Sequence, residues 1–312
     1  MTRILVTGAR GFIARALAVQ LAGHGHQVVG IERAANPTPI KGMNRVLTGD
    51  LLDPAATAGC IAAADPRIVV HLAARGIGMT GEHGPKPGID DLAMTANLID
   101  AIDRAPDVRH VIFASSAAVY GPLNTAPIPE TAAILPTSDY GISKAAAELL
   151  VHRFANAVRA ATVLRFANVV GAGERRPSVV SAVCRQIAEV ELGPGSASIK
   201  HGRLDEARDF VDVADVARAI AACCDFDSPG ALTYNVGSGR AVAISDVVAT
   251  LVTLARRPVQ LELDPTLVRA GPATRVALDS SALQARVGWR PEIPLRTSLA
   301  DTLEFWRAEV RR

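Results

Sequence analysis

No excess of charge of one sign marks this chain: 33 basic residues stand against 31 acidic ones, the net charge is +2, and no run of like charge occurs. That speaks against a nucleic-acid footprint and against a polybasic membrane patch, leaving small molecules or further copies of the chain as partners. Stretches of about 18 uninterrupted apolar residues are lacking too, so no membrane-spanning helix is expected. Met1-Thr2-Arg3 passes straight into Ile4-Leu5-Val6, too short an apolar run for a signal h-region, and the expected location is cytoplasmic. Cys60, Cys184, Cys223 and Cys224 include no C-x-x-C pair and no histidine ladder stands nearby, which argues against a zinc site or a disulfide framework. Buried, reduced thiols are the expectation. The seven histidines are scattered. His71, inside the apolar run Ile68-Val69-Val70-His71-Leu72, reads as a core histidine with satisfied nitrogens, and no metal is assigned. Internal repeats and low-complexity tails are missing as well.

What the chain does have is alternation. Short Val/Ile-rich runs at Arg3 to Thr7, Gln27 to Ile31, Arg45 to Thr48, Arg67 to Leu72, Arg109 to Ser115 and Ala161 to Arg165 are separated by longer Ala-rich segments. Helices are expected at Phe12 to Ala22, Leu92 to Arg104 and Ser138 to Val158, the last capped by Ser138 or Asp139. Such alternation is the pattern of a parallel sheet covered by crossover helices. After Asn168 the pattern loosens into Gly- and Pro-bearing connections, at Gly171 to Pro177, Gly193 to Ser198, Ser228-Pro229-Gly230 and Pro265 to Thr274. A smaller mixed domain is expected there, with Phe210 to Val213 and Tyr234 to Val236 as strands returning to the main sheet. Asp212 and Asp215 read as structural, holding a turn or capping the helix that runs from Val216.

The first run ends in Thr7-Gly8-Ala9-Arg10-Gly11-Phe12-Ile13-Ala14, a G-x-x-G-x-x-A turn that opens the first helix. There a backbone free of Cβ atoms lets a pyrophosphate approach helix N-terminal amides. Glu32 ends the second strand, where a carboxylate meets the adenosine ribose of NAD(H) and repels a 2′-phosphate. Arg33, next to it, would pair with that phosphate and leaves NADP(H) open. Asp50, in Gly49-Asp50-Leu51 after the third strand, falls where the adenine would lie. These features predict an α/β fold, a doubly wound parallel-sheet Rossmann domain over residues 1–168 with 208–240 returning to it, and a smaller mixed α/β C-terminal substrate domain over 169–312.

Tyr140-Gly141-Ile142-Ser143-Lys144 sets a phenol and an ammonium on one helical face. A phenol is a poor acid or base near neutrality, its reference pKa being about 10. A neighbouring cation favours the phenolate, which makes Tyr140 a usable proton carrier.

With these motifs the chain resembles the extended short-chain dehydrogenase/reductase family of nucleotide-sugar epimerases, dehydratases and 4-keto reductases. Further matching stretches are His71-Leu72-Ala73-Ala74, Phe113 to Gly121, Leu164 to Gly171, Arg208-Asp209-Phe210 and Tyr234-Asn235-Val236-Gly237. The resemblance implies that Ser116 bonds the reacting sugar oxygen, with Ser115 competing for the role, that Tyr140 exchanges the proton, and that Lys144 holds the nicotinamide ribose. It implies cofactor contacts from Gly8, Arg10, Gly11, Phe12, Ile13, Glu32, Arg33, Asp50, Leu51, Leu72, Ala73 and Ala74 besides Tyr140 and Lys144. For a nucleotide-diphosphate sugar it implies Asn168 on the diphosphate and Arg208 and Arg269 on phosphate, with a surface salt bridge to neighbours such as Asp205 or Asp209 as the alternative for any one arginine. Arg75 to Ile89 is expected to loop over the sugar. Relatives often pair through the helices around Leu92 to Ala101 and Ala145 to Phe154, so a homodimer is expected.

The dehydratases carry an Asp-Glu pair where this chain has Ala117-Ala118, and a methyl group neither protonates a leaving hydroxyl nor abstracts a proton. Two reactions remain. The C-terminal half, through Arg185 to Glu189, Gly202 to Phe210 and Gly288-Trp289-Arg290-Pro291, resembles the GDP-4-keto-6-deoxymannose reductases. Ser115 to Gly121 stands closer to the 4-epimerases. A departure from the family lies at Asp91-Leu92-Ala93-Met94-Thr95, where a carboxylate replaces the usual amide. The reading from another class is an NAD(P)-binding redox sensor, which has no need of Tyr140 and Lys144.

Overall fold

The computed structural model describes residues 1–36, 38–75, 87–122, 127–193, 198–225, 228–268 and 273–312. The six apolar runs become β1 (Arg3–Thr7), β2 (Gln27–Glu32), β3 (Arg45–Thr48), β4 (Ile68–His71), β5 (His110–Ser116) and β6 (Ala160–Phe166). With β10 (Gly230–Val236) they form one parallel seven-stranded sheet in the order β10-β6-β5-β4-β1-β2-β3. Every residue of β4 and β6 is buried, as a sheet covered on both faces requires. Side chains alternate between the faces. Ile4 and Val6 of β1 pack in one core with α1 (Phe12–Gly23) and α6 (Val213–Cys224), whereas Leu5 faces a second core with α2 (Pro54–Ala64), α3 (Pro87–Asp103) and α4 (Asp139–Arg153). The strand order reverses between β1 and β4, which opens a crevice at their carboxyl ends.

Local chemistry explains where helix ends differ from expectation. Helix α4 stops at Arg153 rather than Val158, because Asn156 Oδ1 accepts the Val158 and Arg159 amides and turns the chain. Helix α3 starts at Pro87, the proline serving as its first residue, so the last three residues of the expected loop are helical and its core, 76–86, lies outside the described residues. The unforeseen α2 is capped by Asp53, whose carboxylate accepts the Ala55 and Ala56 amides, and begins with Pro54.

The second half holds β7 (Asn168–Val170), α5 (Val179–Leu192), β8 (Ser198–His201), β9 (Ala207–Asp212), β11 (Ala241–Ala243), α7 (Ile244–Leu254), β12 (Gln260–Leu263), α8 (Ser281–Val287) and α9 (Leu295–Glu309). Strand β10 pairs with β6, but β9 does not reach the main sheet. It lies in a three-stranded sheet between β7 and β11, which corrects the expectation for Phe210 to Val213. An apolar run specifies burial and not which sheet accepts it, and β10 holds the place beside β6. Asp209 anchors this small sheet: its buried carboxylate accepts the Ser238, Gly239 and Leu278 amides. Helices α5, α7 and α9 cover it. Asp212 caps α6, and Asp215 accepts the Glu292 and Ile293 amides while Trp289 Nε1 donates to its carbonyl, fixing the segment before α9 against α6.

Candidate active site

The glycine turn closes directly on the end of β4. Gly8 takes φ +66°, and a Cβ there would stand 2.9 Å from Ala73 Cα, so a side chain is excluded twice over. A Cβ on Gly11 would meet the Gly8 carbonyl at 2.9 Å. Gly11 is also the N-cap of α1 and offers no side chain to its free amides, which leaves the helix terminus open to an anion, with Phe12 and Ile13 as its first residues. Glu32 ends β2, and its carboxylate accepts the Arg10 amide at 3.1 Å and the Arg33 amide at 3.1 Å. The Arg10 guanidinium turns away to the Asn36 and Thr38 carbonyls. Asp50 holds its own turn by accepting the Leu52 amide, and the Leu51 carbonyl accepts from Asn97.

Beneath Leu72-Ala73-Ala74 lies a buried relay. Thr7 Oγ1 accepts the Leu72 and Ala73 amides, each at 3.1 Å, so its own hydrogen goes to His71 Nδ1 at 2.8 Å. The His71 proton therefore sits on Nε2 and is donated to Thr95 Oγ1, which in turn donates to the Asp91 carbonyl. Burial, helped by the charge of Lys144, pushes the His71 pKa down to about 3. His71 is the satisfied core histidine expected of the sequence. It also rigidifies the strand end that receives Gly8. Asp91 sits in the same place: Oδ1 accepts the Arg75 amide at 2.7 Å and burial raises the carboxyl pKa.

Helix α4 carries the phenol and the ammonium. Ser138 caps it by accepting the Gly141 amide. A Cβ on Gly141 would fall 2.6 Å from the Ala118 carbonyl, so the glycine between Tyr140 and Lys144 lets the helix rest on the single 3-10 turn, Ala117–Tyr120, that follows β5. Lys144 is buried, its Nζ donates to the Ala114 carbonyl at 2.9 Å, and the same nitrogen stands 5.8 Å from the Tyr140 ring centroid. Tyr140 is half-buried at the helix start.

The two adjacent serines separate by strand alternation. Ser115 points under α4 and donates to Glu148 Oε1 at 2.5 Å, whereas Ser116 accepts the Ala118 amide at 3.2 Å and has no acceptor for its own hydrogen among the described residues. Glu148 is in turn gripped by Arg165 of β6 through Nε at 3.0 Å and Nη2 at 2.7 Å. Arg165 Nη1 donates to Tyr120 Oη, which donates to Asn235 of β10. Sequence reasoning missed this network. The signal was present, since Glu148 continues the spacing of Tyr140 and Lys144 along one helical stripe.

The substrate side is less assembled. Asn168 is exposed at the head of β7. Arg208 is engaged already, pairing with Glu206 at 2.8 Å and donating to the Ala207 and Thr274 carbonyls, so it takes the salt-bridge alternative with a different partner from Asp205 or Asp209. Arg269 lies outside the described residues.

The glycine turn, the start of α1 with no side-chain cap and the Glu32 carboxylate at the end of β2 are the groups that would hold a dinucleotide. Comparison with known proteins agrees. The model of the NAD dependent epimerase/dehydratase family matches residues 4–237. The UDP-glucose 4-epimerase of Corynebacterium glutamicum is 31% identical over 327 residues, covering 98% of this chain and 96% of that protein. The GDP-6-deoxy-D-mannose reductase of Pseudomonas aeruginosa is 29% identical over 313 residues, covering 99% and 98%. Among solved structures, the UDP-glucose 4-epimerase of Bifidobacterium longum in complex with NAD+ and UDP superposes with a TM-score of 0.83 at 26% identity, covering 98% of each chain.

The relay predicts a protonation state. An unfolded imidazole takes up a proton below about pH 6.5, whereas native His71 refuses it until about pH 3. Stability from this residue is therefore full above the higher value and is lost as the pH falls through that window. Nitrogen-15 NMR at pH 5 will find His71 neutral with its hydrogen on Nε2; a doubly protonated ring would contradict the relay.

Proposed function

The chain belongs to the NAD-dependent epimerase/dehydratase family and is an enzyme of the extended short-chain dehydrogenase/reductase type that works with NAD or NADP; on that premise we propose that it reduces C4 of a nucleotide-diphosphate 4-keto-6-deoxyhexose. One observation carries the chemistry: a half-buried phenol and a buried ammonium on α4, the ammonium tied to the Ala114 carbonyl of β5, with a serine hydroxyl at the end of β5 that has no acceptor among the described residues. Bound NAD(H) supplies the hydride at the sugar carbon.

Tyr140 Oη gives its proton to the C4 oxygen during reduction and takes it back in the reverse direction. Ser116 Oγ donates to the same oxygen and orients it. Lys144, tethered to the Ala114 carbonyl, keeps a positive charge beside the phenol and retains further hydrogens for the nicotinamide ribose. Because these groups sit on rigid elements, positioning and proton transfer supply much of the rate. Asn168 is free to meet the diphosphate, and Arg208 binds phosphate by exchanging its bond to Glu206. Ala117 and Ala118 leave no acid for dehydration.

A second reading is 4-epimerisation with retained NAD, by removal of hydride and its return to the opposite face. The fixed Glu32 carboxylate favours it, because it suits an unphosphorylated ribose, and so does the likeness of the Ser115 to Gly121 stretch to epimerases. The reductase reading rests on the C-terminal half.

A homodimer through α3 and α4 is part of the proposal. Ile142 and Leu149 are 52% and 72% exposed on one side of α4, and Ile89 of α3 is 64% exposed in line with Ala93 and Ala96. Such an apolar, small-residue surface suits close helix packing against its own copy.

Three measurements test these readings. Purified protein will consume NADH with a 4-keto-6-deoxy sugar nucleotide; stoichiometric NAD released on denaturation, with interconversion of 4-hydroxy sugars and no use of NADH, would establish the epimerase instead. In the same assays Tyr140→Phe will keep dinucleotide binding and lose about 10²–10⁴ in turnover, and full activity would reject Tyr140 as proton carrier. Light scattering at micromolar concentration will give twice the chain mass, a monomer ruling out the stable dimer.

A further inference from the structure

Away from the active site, the fold brings a distant carboxylate, Asp225, up to two histidines that stand two residues apart in the sequence, His24 and His26. His24 caps the end of α1 and His26 stands just before β2, while Asp225 follows α6, the helix that packs beside α1. His24 Nδ1 lies 3.2 Å from Asp225 Oδ2, and His26 Nε2 lies 3.0 Å from Asp225 Oδ1. All three donor atoms fall within 4.8 Å of one another. We propose that His24, His26 and Asp225 form a binding site for a divalent transition-metal ion of the zinc class, with the remaining coordination positions open to water.

The donor set has the right chemistry: two imidazoles and a carboxylate are the borderline ligands that zinc, cobalt(II) and nickel(II) take. Bonds of about 2.0–2.2 Å in a tetrahedral site put neighbouring donor atoms roughly 3.4 Å apart; here one donor atom from each residue lies within 4.8 Å of the others, so the exposed His24 and Asp225 side chains close in slightly on the ion. Access is open on one side, since the side chains of His24 and Asp225 are 46% and 49% exposed, whereas His26 is only 10% exposed and gives the site a fixed wall. In the absence of metal each contact needs a hydrogen on the facing nitrogen; with metal the same nitrogens offer lone pairs. Coordination through His26 Nε2 moves that ring's hydrogen to Nδ1, a buried atom with no partner among the described residues.

The consequence is structural. The metal would staple the C-terminal ends of α1 and α6, and α1 is the helix whose opposite end is the open terminus at Gly11. Twelve helical residues span about 18 Å, so the ion stays clear of the reacting groups and acts by binding the native state. The sequence reading took the seven histidines as scattered; two of them, His24 and His26, are close neighbours, and the packing of α6 on α1 delivers Asp225 to them from 199 positions beyond His26.

Titration of tag-free protein with Zn²⁺ by calorimetry, and with Co²⁺ by visible absorption, tests the site. One equivalent will bind, Zn²⁺ will raise the melting temperature, and turnover will stay unchanged. His24→Gln and Asp225→Asn, both at half-exposed positions and checked for native circular dichroism, will raise the Kd by at least about tenfold, the lower end of what even outer-sphere partners cost, and will abolish the thermal shift. Failure to bind one equivalent, or the same affinity in both variants, would overturn the assignment.

Discussion

The candidate active site is built on one buried ion pair. Glu148 and Arg165 have side chains 5% and 7% exposed, meet at 2.7 Å, and are joined by Ser115 from the neighbouring strand. Removing two charges from water is costly, and the attraction offsets that cost only when the remaining hydrogen-bonding positions are filled. Here they are filled, by Ser115, Tyr120 and the Glu130 carbonyl. Such a pair adds little to stability over an apolar substitute, but it admits one arrangement. It fixes the rotation and the axial position of α4 on β5 and β6, and since Lys144 and Tyr140 lie one and two turns back along the same stripe, it fixes them too.

The cofactor half of the crevice obeys a different constraint, close backbone approach. Gly8 against Ala73, and Gly141 against Ala118, are places where a single methyl group would push two elements apart. The neutral His71 relay holds the first of these contacts from below, and Lys144 contributes to keeping that imidazole neutral. The two halves are thus coupled through one lysine, which serves the strand end under the glycine turn and the phenol above it.

Much of this was legible in the sequence because it follows from local pattern. The six strands of the first half, the glycine turn, Glu32, the capped helix with Tyr140 and Lys144, and the satisfied His71 all rest on periodicity or on spacing within a few residues. What could not be read depends on tertiary pairing. Ser115 and Ser116 are alike as letters, and only the partner beneath α4 separates them. Arg208 was open to an ion pair with a neighbouring acid but Glu206 was not weighed as that partner, β9 looked like a main-sheet strand because burial does not name a sheet, and α4 was drawn too long because the turn at Asn156 competes with helix. Glu148 and Arg165 lie 17 residues apart in different elements, so neither announced the other.

The most direct test of this account is the turnover of Glu148→Ala, measured well below its melting temperature with Tyr140, Lys144 and Ser116 intact. An unpartnered Arg165 will cost roughly 3–5 kcal/mol of stability, and displacement of the phenol by about an ångström will lower kcat on the order of a hundredfold. A folded variant that turns over at the wild-type rate would contradict the claim that this ion pair sets the catalytic geometry.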